Sequence, residues 1–463
     1  MSDVFDLLIV GGGINGVGIA RDAAGRGIKV LLCEKGDLAG ATSSASSKMI
    51  HGGLRYLEHG AFRLVSESLA EREVLLKTAP HLVRPMRFVL PHGPGLRPRW
   101  MLRLGLFLYD RLGGARSLPA SNTIDLRTGP MAAPLQDRVK RGFVYSDCIV
   151  DDARLTVANA RDAAGHGAAI LTRTALTGAR RDGGLWRVAL SGADGARQEV
   201  AARILVNAAG PWAAEVRALA GLSGRARLRL VKGSHIVVHR LYQGDHAYLL
   251  QNDDRRIVFA IPFERDFTLI GTTELAAAAP QAEPVTDTEI TYLCGAVGRW
   301  FERAPEPVDI VWRYSGVRPL YDDGSLTASE TSRDYFLELN DTGPPCLSVF
   351  GGKLTTYRRL SEAALMKLRP YLPGMGPPWT SAATLPDDSE ASAGSTDEFA
   401  PGLGADQVEF LAREEWARTA DDILWRRSKL GLVTSPERRE KLARFIATRE
   451  PRAPAPAGQI ADR

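Results

Sequence analysis

Apolar positions at the start of the chain follow the order strand, turn, helix, strand. Residues 4–10 are mostly apolar, three consecutive glycines follow, residues 14–27 repeat apolar positions at helical spacing, and residues 28–33 form a second apolar run. Short apolar runs favour buried strands, whereas a period of about 3.6 residues favours a helix. We therefore predict a βαβ unit at the N-terminus.

Later apolar runs predict two sheets. Residues 168–172 and 203–207 are expected to be further strands of the first sheet. Four stretches rich in β-branched and aromatic residues, separated by short polar turns, predict an antiparallel sheet in a second domain, at 234–238, 247–250, 256–263 and 267–272. The predicted fold class is α/β, with a nucleotide-binding domain that is interleaved with the second domain.

The C-terminal part differs in composition. Residues 376–404 are rich in Pro, Ser, Ala, Asp and Gly without periodicity, which predicts a linker or a long surface loop. Helices are expected at 405–425 and at 436–448, the second with Thr434 or Ser435 as its cap. Residues 449–463 are expected to be a disordered tail.

Composition adds few constraints. The 463 residues include 59 Lys and Arg against 54 Asp and Glu, so the net charge of +5 mildly favours anionic partners without choosing among them. The four cysteines lie far apart and form no CxxC pair, so we expect neither a disulfide framework nor a metal site. Without a basic leader or an apolar run of about 20 residues, neither export nor a membrane span is expected.

The glycines of the first turn match a dinucleotide-binding motif. Gly11, Gly13 and Gly16 follow the G-x-G-x-x-G pattern, and Glu34 ends the second strand. The glycines permit a tight turn, close approach of a pyrophosphate to the helix N-terminus, and close packing of helix and strand. Glu34 can accept ribose hydroxyls but would repel a 2′-phosphate, which favours FAD or NAD over NADP. The alternative is a chance glycine turn.

Two further segments favour FAD over NAD. Residues 36–57 are polar and small where a simple NAD domain would continue with a helix, and they could follow an extended cofactor. A solvated linker is the alternative, although the residues at the end of the segment, Lys48, His51, Gly52, Gly53 and Arg55, make it less attractive. In 348–360, a strand, a glycine pair and a helix start could bring a positive helix end to the flavin, or form an ordinary turn.

Seven sequence motifs occur in an order that resembles a known family. They are GGGINGVGIARDAAGRG, EKGDLAGATSSASSKMIHGGLRYLEHG, YSDCIVDDARL, VKGSHIVV, IGTTE, YSGVRPL and FGGKLTTYRRL. From residue 4 to about residue 448, the chain resembles the FAD-dependent, aerobic-type glycerol-3-phosphate dehydrogenases of bacteria, which belong to the D-amino-acid-oxidase-like flavoprotein superfamily.

The resemblance implies a fold, a reaction and its partners. It implies oxidation of sn-glycerol 3-phosphate to dihydroxyacetone phosphate, with electrons passed from FAD to a membrane quinone. It implies a Rossmann-like FAD-binding domain interleaved with an antiparallel-sheet substrate domain, plus a small C-terminal helical domain. The expected division is FAD-binding parts at 1–80, 145–230 and 315–375, a substrate or membrane-facing segment at 81–144, the substrate sheet at 231–314, a linker at 376–404 and a shortened helical domain at 405–448.

The motifs also assign site residues. By resemblance, the substrate pocket falls on Arg55, Tyr56, His235, Thr272, Thr273, Arg318, Arg333 and Lys353. The residues expected to bind the cofactor are Gly11, Gly13, Ile14, Asn15, Gly16, Glu34, Lys35, Thr42, Ser43, Ser44, Ser47, Lys48, His51, Gly52, Gly53, Leu54, Ala208, Gly210, Gly351, Gly352, Leu354 and Thr355.

The assigned substrate residues suit a phosphate ester. Four separate segments supply the cations that such a group needs, namely Arg55, Arg318, Arg333 and Lys353. For each cation taken alone, a surface charge or a structural ion pair is an equal alternative.

The proton acceptor is less certain from the residues. His235 could take the proton of the C2 hydroxyl, although histidines on strands are more often structural. Arg318 is the alternative partner of the developing alkoxide. His51 could lie near the flavin ring.

Membrane contact rests on residues 96–114, where four arginines alternate with Trp, Leu, Phe and Tyr. The pattern alone suits a core helix with arginine edges at least as well as an anionic bilayer surface. The resemblance favours the membrane, because quinones are lipid-soluble and the relatives are monotopic proteins of the cytoplasmic face. A peripheral protein at the inner face of the cell membrane is therefore expected, and a homodimer is left open.

Two rivals to this function remain at the level of the sequence. One is a related flavoprotein oxidase that uses oxygen. The other is a non-catalytic flavin-fold protein that binds RNA or senses redox state, but the chain lacks the basic stripe with interleaved aromatic residues that single-stranded nucleic acid needs, so no nucleic-acid partner is expected. One departure from the family is that some C-terminal helices are expected to be missing.

Overall fold

Two β-sheets organise the protein, and each is assembled from segments far apart in sequence. The computed structural model describes residues 4–93, 96–114, 116–254, 256–322, 324, 334–387 and 397–448. The strands are β1 Val4–Val10, β2 Val30–Cys33, β3 Met49–Ile50, β4 Val83–His92, β5 Asn122–Asp125, β6 Arg141–Val150, β7 Ala169–Leu171, β8 Thr174–Asp182, β9 Leu185–Gly192, β10 Arg197–Asn207, β11 Leu228–His239, β12 His246–Gln251, β13 Ile257–Phe263, β14 Phe267–Gly271, β15 Leu275–Ala276, β16 Ile310–Tyr321, β17 Tyr335–Asn340 and β18 Cys346–Gly351. The α-helices are α1 Ile14–Gly25, α2 Phe62–Thr78, α3 Arg99–Leu112, α4 Asp152–Gly165, α5 Ala213–Leu219, α6 Asp287–Gly298, α7 Tyr357–Leu368, α8 Ala405–Glu414 and α9 Pro436–Ala447.

The first sheet has the order β17-β18-β10-β1-β2-β7, with β9 and β8 branching from β10. Strands β18, β10, β1, β2 and β7 are parallel. Along β1, Leu7 and Ile9 belong to one core cluster, and Phe5 and Leu8 belong to another. Because both faces are covered, β1 is almost continuously apolar, as buried parallel strands usually are. The predicted strands near 168–172 and 203–207 are confirmed as β7 and β10.

The second sheet has the order β15-β11-β14-β13-β12-β4-β6-β3, with β16 paired to β11 and β5 to β6. All its pairings are antiparallel except the pairing of β12 with β4. The four predicted strands between residues 234 and 272 are confirmed as β11 to β14. The predicted α/β fold class is also confirmed.

The two sheets alternate along the chain. The first takes strands from residues 4–33, 169–207 and 335–351, and the second takes strands from 49–150 and 228–321. The predicted boundaries at 144/145 and 314/315 fall inside β6 and β16, which each continue through the second sheet. The exact division into domains stays a prediction.

The C-terminal region corrects one predicted helix. A single helix over 405–425 is wrong, because α8 ends at Glu414 and the chain turns with Trp416 at a φ of +57°. Glu415 is buried at this turn, where its carboxylate binds Arg154 of α4, and a π-helical turn follows at Asp422–Arg427. The end of α8 therefore coincides with the left-handed conformation of Trp416 and the buried pair of Glu415, which helical periodicity in the sequence does not show. The second predicted helix is confirmed as α9, which Ser435 caps.

The described parts of the predicted linker are packed. Residues 376–387 contain neither helix nor strand, but Trp379 Nε1 donates to the carbonyl of Asp22, and the Leu385 N–H donates to the carbonyl of Thr78. The tail predicted at 449–463 lies outside the described residues. Within the described ranges, no helix combines the length and apolar character needed to cross a bilayer.

Candidate active site

The glycine turn between β1 and α1 leaves no room for side chains. A Cβ on Gly16 would lie 1.9 Å from the carbonyl oxygen of Gly11. Gly11 has a φ of +116°, and a Cβ on it would lie 2.5 Å from the carbonyl oxygen of Ala208. Gly13 is the N-cap of α1 and makes no side-chain hydrogen bond to the helix, while the N–H of Ile14 donates to Ser43 Oγ at 2.9 Å. This is the local geometry that a pyrophosphate requires.

Glu34 stands at the end of β2 beside this turn. Its Oε2 accepts the N–H of Gly12 and its Oε1 accepts the N–H of Gly36, each at 2.7 Å. Burial raises the pKa of Glu34, while these two hydrogen bonds oppose the rise. Each carboxylate oxygen retains a lone pair for a ribose hydroxyl. The neighbouring Lys35 ammonium lies 3.8 Å from the ring centroid of Trp212.

The segment after Glu34 runs along β16. Thr42 Oγ1 donates to the carbonyl of Val317 at 2.6 Å. Lys48, with a φ of +55°, donates from Nζ to the carbonyl of Ser44 at 3.0 Å and to Asp152 Oδ1 at 2.7 Å. The ammonium of Lys48 is therefore held in a buried ion pair, and the segment is not a solvated linker.

The glycine pair after β18 lies against the first turn of α1. Gly351 and Gly352 have φ values of +75° and +98°. Asn15 Nδ2 donates to the carbonyl of Gly351 at 3.3 Å, while Asn15 Oδ1 is buried without a hydrogen-bond partner within the described ranges. An unsatisfied buried acceptor at this turn fits a donor on a bound group. Leu354–Thr356 is a short 3₁₀ helix that leads into α7.

His51 connects the segment that follows Glu34 with the segment that follows β18. Its backbone N–H donates to Thr355 Oγ1 at 3.2 Å. Burial, followed by the charge of Lys353, lowers the pKa of His51 to about 3, so its imidazole is neutral at neutral pH. The next N–H, of Gly52, donates to the hydroxyl of Tyr109 on α3 at 2.8 Å.

A first group of predicted substrate residues gathers beside His51. Lys353 Nζ lies 3.2 Å from Ser68 Oγ and 4.1 Å from the ring centroid of Tyr56. The ring of Tyr56 also packs on Gly53, where a Cβ would come within 2.1 Å of it. Arg55 lies in the same 3₁₀ segment, Leu54–His59, and is partly exposed.

His235 lies on β11 and is 1% exposed. Its Nε2 is hydrogen-bonded to Ser47 Oγ at 2.9 Å, and its ring stacks on Tyr314 with centroids 4.8 Å apart. Its Nδ1 has no hydrogen-bond partner among the residues that the structure describes. Gly271 faces it across the sheet, where a Cβ would lie 2.0 Å from the ring.

Burial and nearby cations keep His235 neutral. Burial is the largest cause and the charges of Arg318 and Lys48 act in the same direction, so the pKa of His235 lies well below its ordinary value. A neutral imidazole retains one nitrogen that can accept a proton.

Arg318 on β16 approaches the turn after β14. Its Nη2 donates to Thr272 Oγ1 at 2.9 Å, and its Nη1 lies 3.5 Å from the carbonyl of Thr273. Thr273 Oγ1 donates to Glu289 at 2.9 Å and accepts the N–H of Ser234 at 3.0 Å. Glu289 thus holds Thr273 in place from behind.

Glu289 is an anchor that sequence reasoning missed. Burial raises its pKa, but hydrogen bonds from Lys232, Ser234 and Thr273, among others, bring the pKa to about 2. The sequence signal was the capping box of α6, where Glu289 follows Thr286 by three residues. Tyr314 and Asp152 were also missed as supports of His235 and Lys48.

The predicted site residues thus form two groups of contacts, one around Tyr56, His51 and Lys353 and one around His235, Thr272 and Arg318. The predicted substrate residue Arg333 lies outside the described residues. Ala208 and Gly210 lie at the end of β10, where the Ala208 N–H donates to the carbonyl of Val10.

Comparisons with known proteins agree with a flavin site. The family model described as FAD dependent oxidoreductase matches residues 6–358. The chain is 48% identical to a glycerol-3-phosphate dehydrogenase of Pseudomonas aeruginosa, over 98% of this chain and 97% of the relative. It is 46% identical to a D-erythritol 1-phosphate dehydrogenase of Brucella abortus, over 94% and 96% of the two chains.

A solved structure shares the fold. It is the glycerol-3-phosphate dehydrogenase from Bacillus halodurans complexed with FAD, which superposes with a TM-score of 0.70 at 24% identity and covers 97% of this chain and 96% of that chain. The glycine turn, Glu34 and the buried acceptor of Asn15 fit such a cofactor. The chain therefore belongs to the FAD-dependent oxidoreductase family, and FAD is its cofactor.

Proposed function

We propose that the protein oxidises sn-glycerol 3-phosphate to dihydroxyacetone phosphate and delivers the electrons to a membrane quinone. The observation that carries the proposal is the neutral, buried His235 beside Arg318 and the Thr272-Thr273 turn, with an Nδ1 that no described residue hydrogen-bonds. This arrangement suits the removal of a hydroxyl proton near an anionic substrate. The name of the relative from Pseudomonas aeruginosa supplies the substrate.

The site residues of this chain have separate roles in the proposed reaction. Bound FAD supplies the two-electron acceptor, and we expect the hydride from C2 to reach flavin N5. His235 takes the proton of the C2 hydroxyl, and the guanidinium of Arg318 stabilises the charge that develops on that oxygen. Lys353, in the other group of contacts, and Arg55, in the same 3₁₀ segment as Tyr56, are the proposed phosphate ligands, with Arg333 as a third.

An anaerobic spectrum tests the substrate. Addition of sn-glycerol 3-phosphate should bleach the flavin band, and a soluble quinone should restore it, whereas lactate should have no effect. A flavin band that is indifferent to the phosphate ester would overturn the substrate but leave the family unchanged.

The second candidate substrate is D-erythritol 1-phosphate. The observation in its favour is the relative from Brucella abortus, whose identity to this chain is nearly as high. Faster bleaching by this longer phosphate ester, at equal concentrations, would make it the preferred substrate. Formation of hydrogen peroxide in air, in place of quinone reduction, would favour an oxidase.

Helix α3 supports the proposed membrane contact. Four large apolar side chains of α3 are at least 42% exposed, namely Trp100, Met101, Leu104 and Phe107, whereas Leu106 and Tyr109 face the interior. Exposed Arg103 and Arg111 border this face, as an anionic bilayer surface requires. We therefore propose α3 as the membrane contact, while the inner face of the cell membrane and a homodimer stay predictions.

Vesicle sedimentation tests the membrane contact. The protein should co-sediment with vesicles that contain anionic lipid and less with neutral ones. The double variant Trp100→Ser with Phe107→Ser should stay in the supernatant and still be reduced by substrate. Vesicle binding by this variant equal to that of the unmodified protein would remove α3 as the contact.

A further inference from the structure

Four charged residues between residues 415 and 427 tie the C-terminal region to the first sheet. We call this group the C-terminal latch: Glu415, Asp422, Arg426 and Arg427. The side chain of Arg427 is fully buried, and its Nη1 and Nη2 donate to the two carboxylate oxygens of Asp37 at 2.5 and 2.7 Å. Arg426 Nε donates to the same carboxylate at 2.5 Å.

Asp37 lies in a loop that touches the FAD-binding turn directly. The preceding N–H, of Gly36, donates to the carboxylate of Glu34 at 2.7 Å. Two residues after Asp37, the N–H of Ala39 donates to the carbonyl of Gly12 at 3.1 Å. The loop therefore holds both the ribose-side carboxylate and the glycine turn through its own backbone.

A second connection reaches the same loop. Asp422 Oδ2 accepts from Nη2 of Arg173 at 2.5 Å. The backbone N–H of Arg173 donates to the carbonyl of Gly36 at 2.8 Å. Asp422 thus meets the loop through one intervening residue, whereas Arg427 binds Asp37 without one.

The latch is fixed at its other end. Glu415 accepts from Arg154 Nη2 at 2.9 Å, and the side chain of Glu415 is fully buried. Its backbone carbonyl accepts from Arg427 Nε at 3.2 Å. Buried ion pairs contribute little net stability compared with apolar packing, so their main effect here is to fix geometry.

We propose that Arg427, with Asp422 as its secondary support, is a positioning residue for FAD: it holds the Asp37 loop so that Glu34 and Gly12 stay in the conformation that binds the adenosine side of the cofactor. The C-terminal helical region then sets the affinity for FAD, although it contributes no residue to the glycine turn. This inference does not depend on the proposed substrate, because it concerns only the bound cofactor.

FAD titration of the apoprotein tests the latch. Arg427→Lys keeps the charge but loses the two-pronged contact with Asp37 and the hydrogen bond of Nε to the carbonyl of Glu415, while Arg426 still binds Asp37. We expect a roughly tenfold higher Kd for FAD. Arg173→Gln is the milder variant, because Arg173 is 25% exposed in its side chain and Asp422 retains the N–H groups of Arg418 and Thr419. We expect about a threefold higher Kd for it.

A matched control separates this effect from lost stability. Arg26 and Asp22 form an equally buried two-pronged pair at the far end of α1, roughly 18 Å from the glycine turn at 1.5 Å per residue. Arg26→Lys should lower the Tm of the apoprotein as Arg427→Lys does, but should leave the Kd for FAD within about twofold of the unmodified protein.

Two outcomes would overturn the proposal. One is an equal change of Kd in Arg427→Lys and Arg26→Lys, which would make the latch a general stabiliser. The other is unchanged FAD affinity in Arg173→Gln and Arg427→Lys. If Arg427→Lys fails to fold, the Kd for FAD is compared between Arg173→Gln and Arg26→Lys. A rise in Arg173→Gln alone supports the proposal, and the absence of such a rise overturns it.

Discussion

The nucleotide side of the site, around Glu34 and the glycine turn, differs from the catalytic side, around His235, in the hydrogen bonding of its main polar group. On the nucleotide side, each oxygen of Glu34 already accepts a backbone N–H. On the catalytic side, His235 is more deeply buried than Glu34, yet its Nδ1 has no hydrogen-bond partner within the described part of the chain. A group that only binds gains from being held, whereas a group that exchanges a proton needs an open position.

The two sides also differ in the sequence distance over which they are assembled. Glu34 meets Gly36 and Gly12, which are 2 and 22 residues away. His235 meets Ser47 across 188 residues and Tyr314 across a strand pairing. The hydrogen bonds of Glu34 are therefore local in the chain, whereas the contacts of His235 join segments that lie far apart in sequence.

The largest expected effect is the loss of FAD binding in a variant that changes the nucleotide side alone. Gly16→Ala places a methyl group 1.9 Å from a backbone oxygen that cannot move freely. The protein should purify without a flavin absorbance band, with affinity for FAD lowered roughly 100-fold or more. Gly165→Ala is the control, because a Cβ there meets nothing within 4 Å. FAD bound normally by Gly16→Ala would contradict the close approach at this turn.

The next largest effect is slower flavin reduction in a variant that changes the catalytic side alone. His235→Asn should leave FAD bound but slow flavin reduction by substrate about 10²- to 10⁴-fold, because the proton acceptor is lost. Stopped-flow absorbance measures the rate. His239→Asn, at the exposed end of the same strand, should be reduced normally. If His235→Asn is reduced as fast as the unmodified protein, His235 is not the base.

A smaller effect sharpens the role of the support behind the catalytic side. Thr273→Val removes the hydroxyl between the Ser234 N–H and Glu289, so the buried N–H of Ser234 loses this acceptor and Glu289 loses one of its several hydrogen bonds. The substrate concentration for half-maximal flavin reduction should rise roughly tenfold. Thr273→Ser keeps the hydroxyl, so the substrate concentration for half-maximal flavin reduction should stay close to that of the unmodified protein. Equal behaviour of the Val and Ser variants would show that the hydroxyl is not needed.

The smallest effect concerns stability against pH. The pKa of His235 is lowered in the folded protein, so the unfolded chain takes up a proton first as the pH falls below about 6.5, and stability is lost there. Between pH 7.5 and 5.5, the unmodified protein should lose about 1 kcal/mol more than His235→Asn in urea unfolding. Parallel losses in the two proteins would show that His235 titrates normally when folded.

The sequence was sufficient for the βαβ unit of the nucleotide side. The glycine spacing, the apolar runs around it and Glu34 at the end of β2 predicted the βαβ unit, because its contacts lie close together in the chain and each residue type has a local geometric reason. Stretches rich in β-branched and aromatic residues, separated by short polar turns, likewise predicted the second sheet. These features follow from periodicity and backbone sterics, which the sequence expresses directly.

Only the tertiary structure decided which charges are structural. The sequence could not show that Lys48 pairs with Asp152, that Arg427 binds Asp37 across 390 residues, or that α8 ends just before the buried Glu415. Nor could it decide between a core helix and an exposed apolar face for α3. The reason is physical: whether a charge is paired and whether an apolar face is covered depend on what distant segments bring alongside it, whereas the βαβ unit that carries the glycine turn forms from residues close together in the chain.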